Sequence, residues 1–415
     1  MSDLARRTPL SDGRLRILYV AQAVSIHTAR WISQLKDQDW DLHVFDMLGS
    51  LPHPELRGIT EYSMLLPRRI PLSARETSYG HPFFLKHGWD PFPLSLLGFF
   101  IRRILRRRAG RLAMLIRTLK PDVIHSFELQ TQSYHLLSVA DLLGGNLGAP
   151  WIVTTWGSDI FYFQHFPEHL GTIKRLLAAC DYLIPDCRRD EMLARGYGFA
   201  GTVPLILPGS GGYPTGEMRR LMQSGPVSAR RLIMVKGYQG WAGRAVDALE
   251  ALTMCVDVLR GYEIVVYAAS AGLDSRVAQI GSQYGLDIRI LPRSPHREIL
   301  RLFGRARLAM GVNATDGVPN AMLEAMTMGA FPIQSDTEST AEWITHGVNG
   351  LLVEPGNPPE IASAIRRALL DDALVDKAAD LNARQLFDRL DASIVTPQVI
   401  EMYSRVAAQT KRAHL

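Results

Sequence analysis

Short apolar runs recur along the chain, each bounded by polar turns and followed by a longer stretch with apolar residues at helical spacing. Arg16–Val20 (RILYV) reads as a buried strand leading through a turn into a helix over 26–36, and Asp41–Phe45 (DLHVF) as a second strand. A helix over 97–119 precedes a strand within 121–127 (PDVIHSF), and another helix is expected over 132–143. Two further strands are expected at 151–155 (WIVTT) and 180–185 (CDYLIP). Continuous apolar strands alternating with amphipathic helices predict a parallel sheet with crossover helices.

The alternation pauses at 208–228, rich in Gly, Pro and Ser, then restarts with strands at 232–235, 263–268, 288–291, 308–312, 331–334 and 350–353. The expected organisation is α/β: a Rossmann-like domain at 1–207, a linker at 208–228 and a second Rossmann-like domain at 229–375. The segment 376–415 reads as helix alone and is expected to pack back on the N-terminal domain. Ligands of open parallel sheets bind beyond the carboxyl ends of the strands, so two such sheets predict a site in a cleft between domains. Candidate residues should then lie just after strands.

Composition narrows the class. The chain has 415 residues, 47% hydrophobic and 21% charged, which excludes a disordered or fibrous protein. Cys180, Cys187 and Cys255 supply neither a disulfide framework nor an all-cysteine zinc site, and suit a reducing compartment. The first 16 residues lack the apolar core of a signal peptide, and no apolar run approaches the ~18 residues that span a bilayer. The expected location is cytoplasmic, peripheral on the cytoplasmic face of the inner membrane.

Charge adds a partner. Of the net +5, all the excess lies in residues 1–205, with 24 Lys and Arg against 19 Asp and Glu; residues 206–415 hold 22 of each. Between Gly98 and Lys120 there are eight basic residues and no acid, preceded by an apolar lead-in at 92–100. No aromatic interleaving accompanies the arginines, so nucleic acid is not expected. The 92–120 segment instead predicts attraction to an anionic membrane surface, although its apolar stripe alone would suit a core-facing helix.

Two stretches of the second half carry candidate chemistry. In Gly311–Leu352 a strand ends near Asn313, a loop carries Asp316-Gly317-Val318-Pro319-Asn320, and a helix brings Glu324. A loop carboxylate can accept sugar hydroxyls and a helix carboxylate a ribose diol, while free N–H groups at the helix start suit an anion. On spacing alone Asp316 reads equally well as a turn residue and Glu324 as a solvated helix residue. The second stretch is Val235-Lys236-Gly237-Tyr238-Gln239-Gly240-Trp241-Ala242-Gly243-Arg244, a strand running into a glycine-rich loop with two cations. Backbone close to an anion, with Lys and Arg beside it, is a diphosphate site in physical terms. Its glycine spacing matches neither a Walker loop nor a dinucleotide fingerprint.

The stretch Asp316 to Gly329 resembles the C-terminal signature of the retaining, family-four glycosyltransferases of the GT-B fold, of the bacterial cell-surface polysaccharide type. That signature pairs two glutamates with seven residues between; here Asp316, one methylene shorter, stands first and Glu324 second. Gly317, Pro319, Ala325, Met326 and Gly329 also match, and 122–128, 151–159 and 347–355 look like further family segments. The resemblance implies two Rossmann-like domains facing a cleft and transfer of a sugar from a nucleotide-diphosphate donor with retention. It implies a saccharide or lipid-linked saccharide acceptor, and no cofactor or metal. Asp316 would contact the donor sugar and Glu324 the ribose. Gly237, Gly317, Val318, Pro319 and Asn320 would line the donor, with Lys236 and Arg244 on the diphosphate. The family usually has Arg then Lys about five apart, whereas this chain has Lys then Arg, eight apart.

The first half offers weaker candidates. Thr154-Thr155-Trp156-Gly157-Ser158-Asp159 follows a strand; many relatives carry His where Trp156 stands, and an indole cannot act as a base. Asp159 is either a holder of an acceptor hydroxyl, counted with Asp316, Lys236 and Arg244 as catalytic, or a cap on the following helix. His27 and Arg30, in the first strand-to-helix turn, join Trp156 and Gly157 on the acceptor or phosphate side. His125 reads as a core histidine, and Asp37-Gln38-Asp39 as a polar turn, since it precedes a strand. Two other functions stay open: a sugar-nucleotide epimerase or phosphorylase on the same fold, and a non-catalytic nucleotide-sugar or glycan-binding protein.

Overall fold

A computed structural model describes residues 14–48, 51–62, 67–70 and 108–413. The lead-in at 92–100 and the arginines at 102, 103, 106 and 107 lie outside the described residues. The chain divides into two compact units: residues 1–186, 190–211 and 396–415 make the first, and 187–189 with 212–395 the second.

The first unit is built on a seven-stranded sheet. Its strands are β1 (Arg16–Val20), β2 (Asp41–Phe45), β3 (Ile59–Tyr62), β4 (Pro67–Ile70), β5 (Val123–Phe127), β6 (Trp151–Thr154) and β7 (Tyr182–Ile184). The order is β4-β3-β2-β1-β5-β6-β7, parallel throughout except for β4, which pairs antiparallel with β3. Apart from its first residue each of β1 and β2 is buried along its length, which is what a sheet covered on both faces demands. Helix α1 (Ile26–Ser33) begins where Ser25 accepts the amide of His27, and it ends before the polar turn that carries Asp37 and Asp39. The described part of α2, residues 108–119, turns Ala109, Leu112, Ala113 and Ile116 into the core. Helices α3 (Tyr134–Leu142), α4 (Pro167–Ala179) and α5 (Arg188–Gly196) complete the crossovers.

In the second unit, α6 (Thr215–Arg219) precedes β8 (Leu232–Lys236), followed by α7 (Ala245–Thr253) and α8 (Val256–Leu259). Next come β9 (Glu263–Tyr267), α9 (Leu273–Tyr284), β10 (Asp287–Ile290), α10 (His296–Arg305) and β11 (Ala306–Gly311). Then follow α11 (Asn320–Thr327), β12 (Phe331–Ser335), β13 (Leu351–Val353), α12 (Pro358–Leu370), α13 (Asp372–Leu390) and α14 (Ala392–Ala413). The six-stranded sheet is parallel, ordered β10-β9-β8-β11-β12-β13. This is a doubly wound arrangement whose direction of winding reverses between β8 and β11.

The division falls between Gly211 and Gly212, so 208–228 is not a single linker: from Gly212 it belongs to the second unit, where it forms α6. The helical C-terminus also divides. Val375, Ala378, Leu386 and Leu390 of α13 are buried within the second unit, and only residues from Thr396 onward count with the first. There Val399, Met402, Tyr403 and Val406 of α14 are buried. Among the described residues no helix is long and apolar enough to cross a membrane.

Candidate functional site

The reversal between β8 and β11 sets the geometry of the second unit, because loops leaving adjacent strands in opposite directions open a crevice at their carboxyl ends. The loops after β8 and β11 are laced together. Arg244 donates its amide to Val312 (2.9 Å) and Ala314 its amide to Ala242 (2.7 Å). Gly243 has to be glycine, since a Cβ there would meet the Tyr238 carbonyl oxygen at 2.0 Å. Gly237 is equally confined, since a Cβ there would lie 2.7 Å from atoms of Ala269 and Val266.

This lacing brings Lys236, the last residue of β8, beside Asp316. Their Nζ and Oδ2 atoms are 3.7 Å apart, with both side chains about a quarter exposed. Asn313 donates its side-chain amide to Asp316 Oδ2 (2.9 Å), and the Gly317 amide bonds Oδ1 (2.9 Å). The carboxylate is therefore held in one orientation, and the Gly317 N–H expected to face a ligand is turned onto Asp316 instead. An ammonium has three donors, so the contact with Asp316 leaves capacity for an anion. Arg244 behaves differently: its Nη1 donates to the carbonyls of Gly240 (3.0 Å) and Gly243 (2.9 Å) in its own loop. These bonds use Nη1, and the other N–H groups of the guanidinium keep donor capacity for an anion.

Val318 is buried, and Pro319, which has no N–H, precedes the first turn of α11; that turn has no side-chain cap. Asn320 opens the helix, and its side-chain oxygen accepts the hydroxyl of buried Tyr213. One turn later Glu324 is not a solvated helix residue: its side chain is only 8% exposed, and Oε1 lies 2.9 Å from His296 Nε2. His296, the first residue of α10, had no local sequence signal; only the packing of α10 against α11 brings it in. Burial and then the Glu324 charge push the phenol of Tyr267, the last residue of β9, above its usual range.

In the first unit the candidates gather at the carboxyl ends of β1, β5 and β6. Trp156 stacks on Phe127 (centroids 6.1 Å apart, 16° between planes), and His27 meets it edge-on at 5.3 Å. His27 Nδ1 is 2.7 Å from Ser210 Oγ. Gly209 admits the indole edge, since a Cβ there would lie 2.6 Å from Trp156 Cδ1; the buried Nε1 finds no hydrogen-bond partner among the described residues. Arg30 sits one turn along α1 from His27, partly exposed, and Gly157 takes a φ of 46°.

Asp159 caps no helix and is nearly enclosed, 5% exposed. Its Oδ2 accepts the amides of Trp156 (2.7 Å) and Leu129 (3.0 Å), tying the loop after β6 to the segment after β5. Burial, then repulsion from Glu128, pushes its carboxyl well above the usual range. Glu128 is itself pushed up by burial; it holds the left-handed φ of 65° and accepts the Thr131 amide at 2.9 Å. A residue without glycine's freedom in that region is costly, and the bond from Thr131 offsets it. His125 is wholly buried, bonded to Tyr403 and Thr154, and burial drives its pKa well down. It is a core residue.

Comparison with known proteins gives both units a family likeness. A model described as glycosyl transferases group 1 matches residues 238–371, and one described as glycosyl transferase 4-like matches 16–77 and 100–186. An exopolysaccharide phosphotransferase of Streptomyces coelicolor is 26% identical over 305 residues, 71% of this chain but 30% of its own length. The chain thus spans less than a third of that relative. Among solved structures, a trehalose 6-phosphate synthase of Burkholderia multivorans has a TM-score of 0.68 at 14% identity, covering 97% of this chain and 99% of its own. Anabaena HepE, solved with UDP and glucose, has a TM-score of 0.65 at 14% identity, covering 94% of this chain and 100% of its own. A sucrose-phosphate synthase of Thermosynechococcus elongatus scores 0.65 at 16% identity, covering 95% and 100%. At such identities the likeness is one of fold, the GT-B fold.

Proposed function

We propose that the chain moves a sugar from a nucleotide-diphosphate donor to a saccharide or lipid-linked saccharide, with retention at the anomeric carbon and without a metal ion. It is a glycosyltransferase of the GT-B type, with one glycosyltransferase model on each unit. The observation that carries the reading is the meeting of Lys236 and Asp316 at the crevice of the second sheet, 3.7 Å apart. A cation beside a carboxylate suits a sugar diphosphate: Lys236 takes the phosphate charge and Asp316 the sugar hydroxyls. As the glycosidic bond breaks, negative charge grows on the leaving diphosphate, and a fixed cation there stabilises the transition state. The acceptor hydroxyl attacks from the face that the diphosphate leaves, and its proton passes to the departing phosphate oxygen.

The acceptor is assigned to the first unit, at the Trp156 and His27 rings. An indole face suits the apolar face of a sugar ring, whereas the enclosed Asp159 suits the holding of the two loops rather than contact with an acceptor. The exposed basic face of α2 suits an anionic membrane, where a lipid-linked acceptor would be found.

The test is to incubate the protein with UDP- and GDP-linked hexoses and with the lipid or glycan that accumulates when it is removed from its host. Release of nucleoside diphosphate and a product whose anomeric configuration matches the donor supports the reading. Donor turnover without acceptor points to an epimerase, and dependence on inorganic phosphate to a phosphorylase. Tight nucleotide binding with no turnover over a broad acceptor panel would make it a binding protein.

A further inference from the structure

Glu324 and His296 form a contact between α11 and α10. The carboxylate sits in the second turn of α11 and is more than nine-tenths buried; the imidazole is the first residue of α10 and about a third exposed. Nε2 and Oε1 are 2.9 Å apart. The two helices follow different strands of one sheet, so the pair bridges the loop after β10 to the loop after β11.

We propose that His296 is a positioning residue, setting the rotamer in which Glu324 meets the ribose diol of the bound nucleotide. The inference rests on reading the second unit as the nucleotide-sugar domain.

Three physical points lead there. First, a glutamate has three side-chain torsions, and holding it in one conformation without a partner costs rotamer entropy with each ligand bound. A donor 2.9 Å away that is itself fixed at a helix start removes that cost before the ligand arrives. Second, the imidazole can be fixed: Pro295 precedes it with φ −55°, and α10 is anchored by buried Leu300, Leu302 and Phe303. Third, an ionised carboxylate has about four acceptor positions, and the bond from His296 takes one of them. Nε2 serves as the donor both in the imidazolium and in the neutral tautomer protonated there. The orienting bond therefore does not need the ring to be charged.

A residue that acts through Glu324 on the diol has a signature that a purely structural residue lacks. Its effect should vanish when the diol is absent. Calorimetry on the full chain with UDP, GDP and ADP first selects the diphosphate that binds, and the same nucleotide lacking both ribose hydroxyls is the control. His296→Ala is expected to weaken the natural nucleotide about tenfold, the size of one hydrogen bond to a charged group. Parent and variant should bind the dideoxy nucleotide equally. His296→Gln, which can place an amide N–H near the position of Nε2, should recover most of the loss. In steady state His296→Ala should raise the donor KM with kcat little changed.

Equal loss for both nucleotides would show a structural role and overturn the inference, as would no loss at all. Glutamine failing to rescue where alanine acts only on the natural nucleotide would also overturn it, since another property of the ring would then be responsible. If the parent binds none of the three diphosphates, the nucleotide-domain reading itself fails and the inference falls with it. That result is distinct from a parent that binds but does not discriminate through His296.

Discussion

Two carboxylates only eight positions apart are held in different ways, and that difference predicts how each should fail when altered. Asp316 is partly exposed, oriented by Asn313 and paired with Lys236; Glu324 is buried and bonded to His296. If Asp316 meets the sugar ring, where charge and shape change during reaction, Asp316→Asn should lower kcat by more than it raises the donor KM. If Glu324 meets the ribose, whose contacts change little, Glu324→Gln should mainly raise the KM. Steady-state kinetics over a range of donor concentrations decide it; an Asp316→Asn enzyme with parental kcat would make that residue a turn former. Lys236→Ala should weaken diphosphate binding by roughly 10- to 100-fold, the range of a lost charged hydrogen bond, and a chelator should leave binding unchanged. Strict magnesium dependence in the calorimeter would contradict this. The positions of Asp316 and Lys236 were legible because each ends or follows an apolar strand. His296 was not, because nothing in its own neighbourhood distinguishes it. Asp159 was read as either a holder of an acceptor hydroxyl or a helix cap, because a sequence cannot show that the Leu129 amide lies 3.0 Å from its carboxylate.

At the scale of elements, the first unit depends on buried polar groups joined across the sheet and α14. Trp31 donates to the Tyr403 hydroxyl (2.9 Å), whose own O–H can donate to His125 Nδ1 (2.6 Å), leaving His125 Nε2–H to donate to Thr154 Oγ1 (2.7 Å). That chain needs a neutral imidazole, in agreement with its lowered pKa. Tyr403→Phe leaves an indole N–H and a ring nitrogen without this partner in a closed core. It should cost about 1–3 kcal/mol, read as a lower urea midpoint for the first unit. A pH dependence follows from a second histidine. Burial, then the Arg108 charge, pulls His135 down to about 4. A pKa lowered on folding contributes stability that is whole above the unfolded value near 6.5 and is lost as pH falls toward the folded one. Glu128 and Asp159, both raised, act in the opposite sense and favour the fold in acid. The comparison that isolates the histidine is therefore parent against His135→Gln: between pH 6.5 and 4 the parent's urea midpoint should fall more steeply. Parallel slopes would mean that His135 does not titrate in this way. Most strands were legible to within two residues because parallel strands buried on both faces read as unbroken apolar runs. β3 and β4 were not: ITEY alternates polar residues, and PRRI pairs at an edge, where proline and arginine are tolerated.

The whole molecule repeats one plan twice, an open sheet wound outward from a central reversal, and each unit closes its own hydrophobic core. Alternating strand and helix patterns made that plan legible; the division of the C-terminus was not, because one helical stretch supplies both units and periodicity does not say which core takes a given turn. Charge is distributed less evenly than fold, and among the described residues part of the excess lies on a surface. Along α2 the exposed residues include Arg111, Met114 and Arg117, with exposed Lys120 following the helix. Met114 is 64% exposed, an apolar side chain set between cations. Cations beside an exposed apolar side chain match an anionic lipid interface better than a core, since the core face of the same helix is already filled by Leu112 and Ile116. Each basic residue near such a surface contributes about 1 kcal/mol, screened within about 10 Å at 0.1 M salt. Replacing Arg111, Arg117 and Lys120 together with Gln should thus reduce cosedimentation with phosphatidylglycerol vesicles by about 100-fold in partition coefficient. Raising salt should do to the parent what the substitutions do at low salt, and neutral phosphatidylcholine vesicles should bind neither protein. All three residues belong to the first unit, whereas the donor is proposed to bind the second, so nucleotide binding by the triple variant should equal that of the parent. Equal binding of parent and variant to anionic vesicles would remove the membrane role from this face of α2.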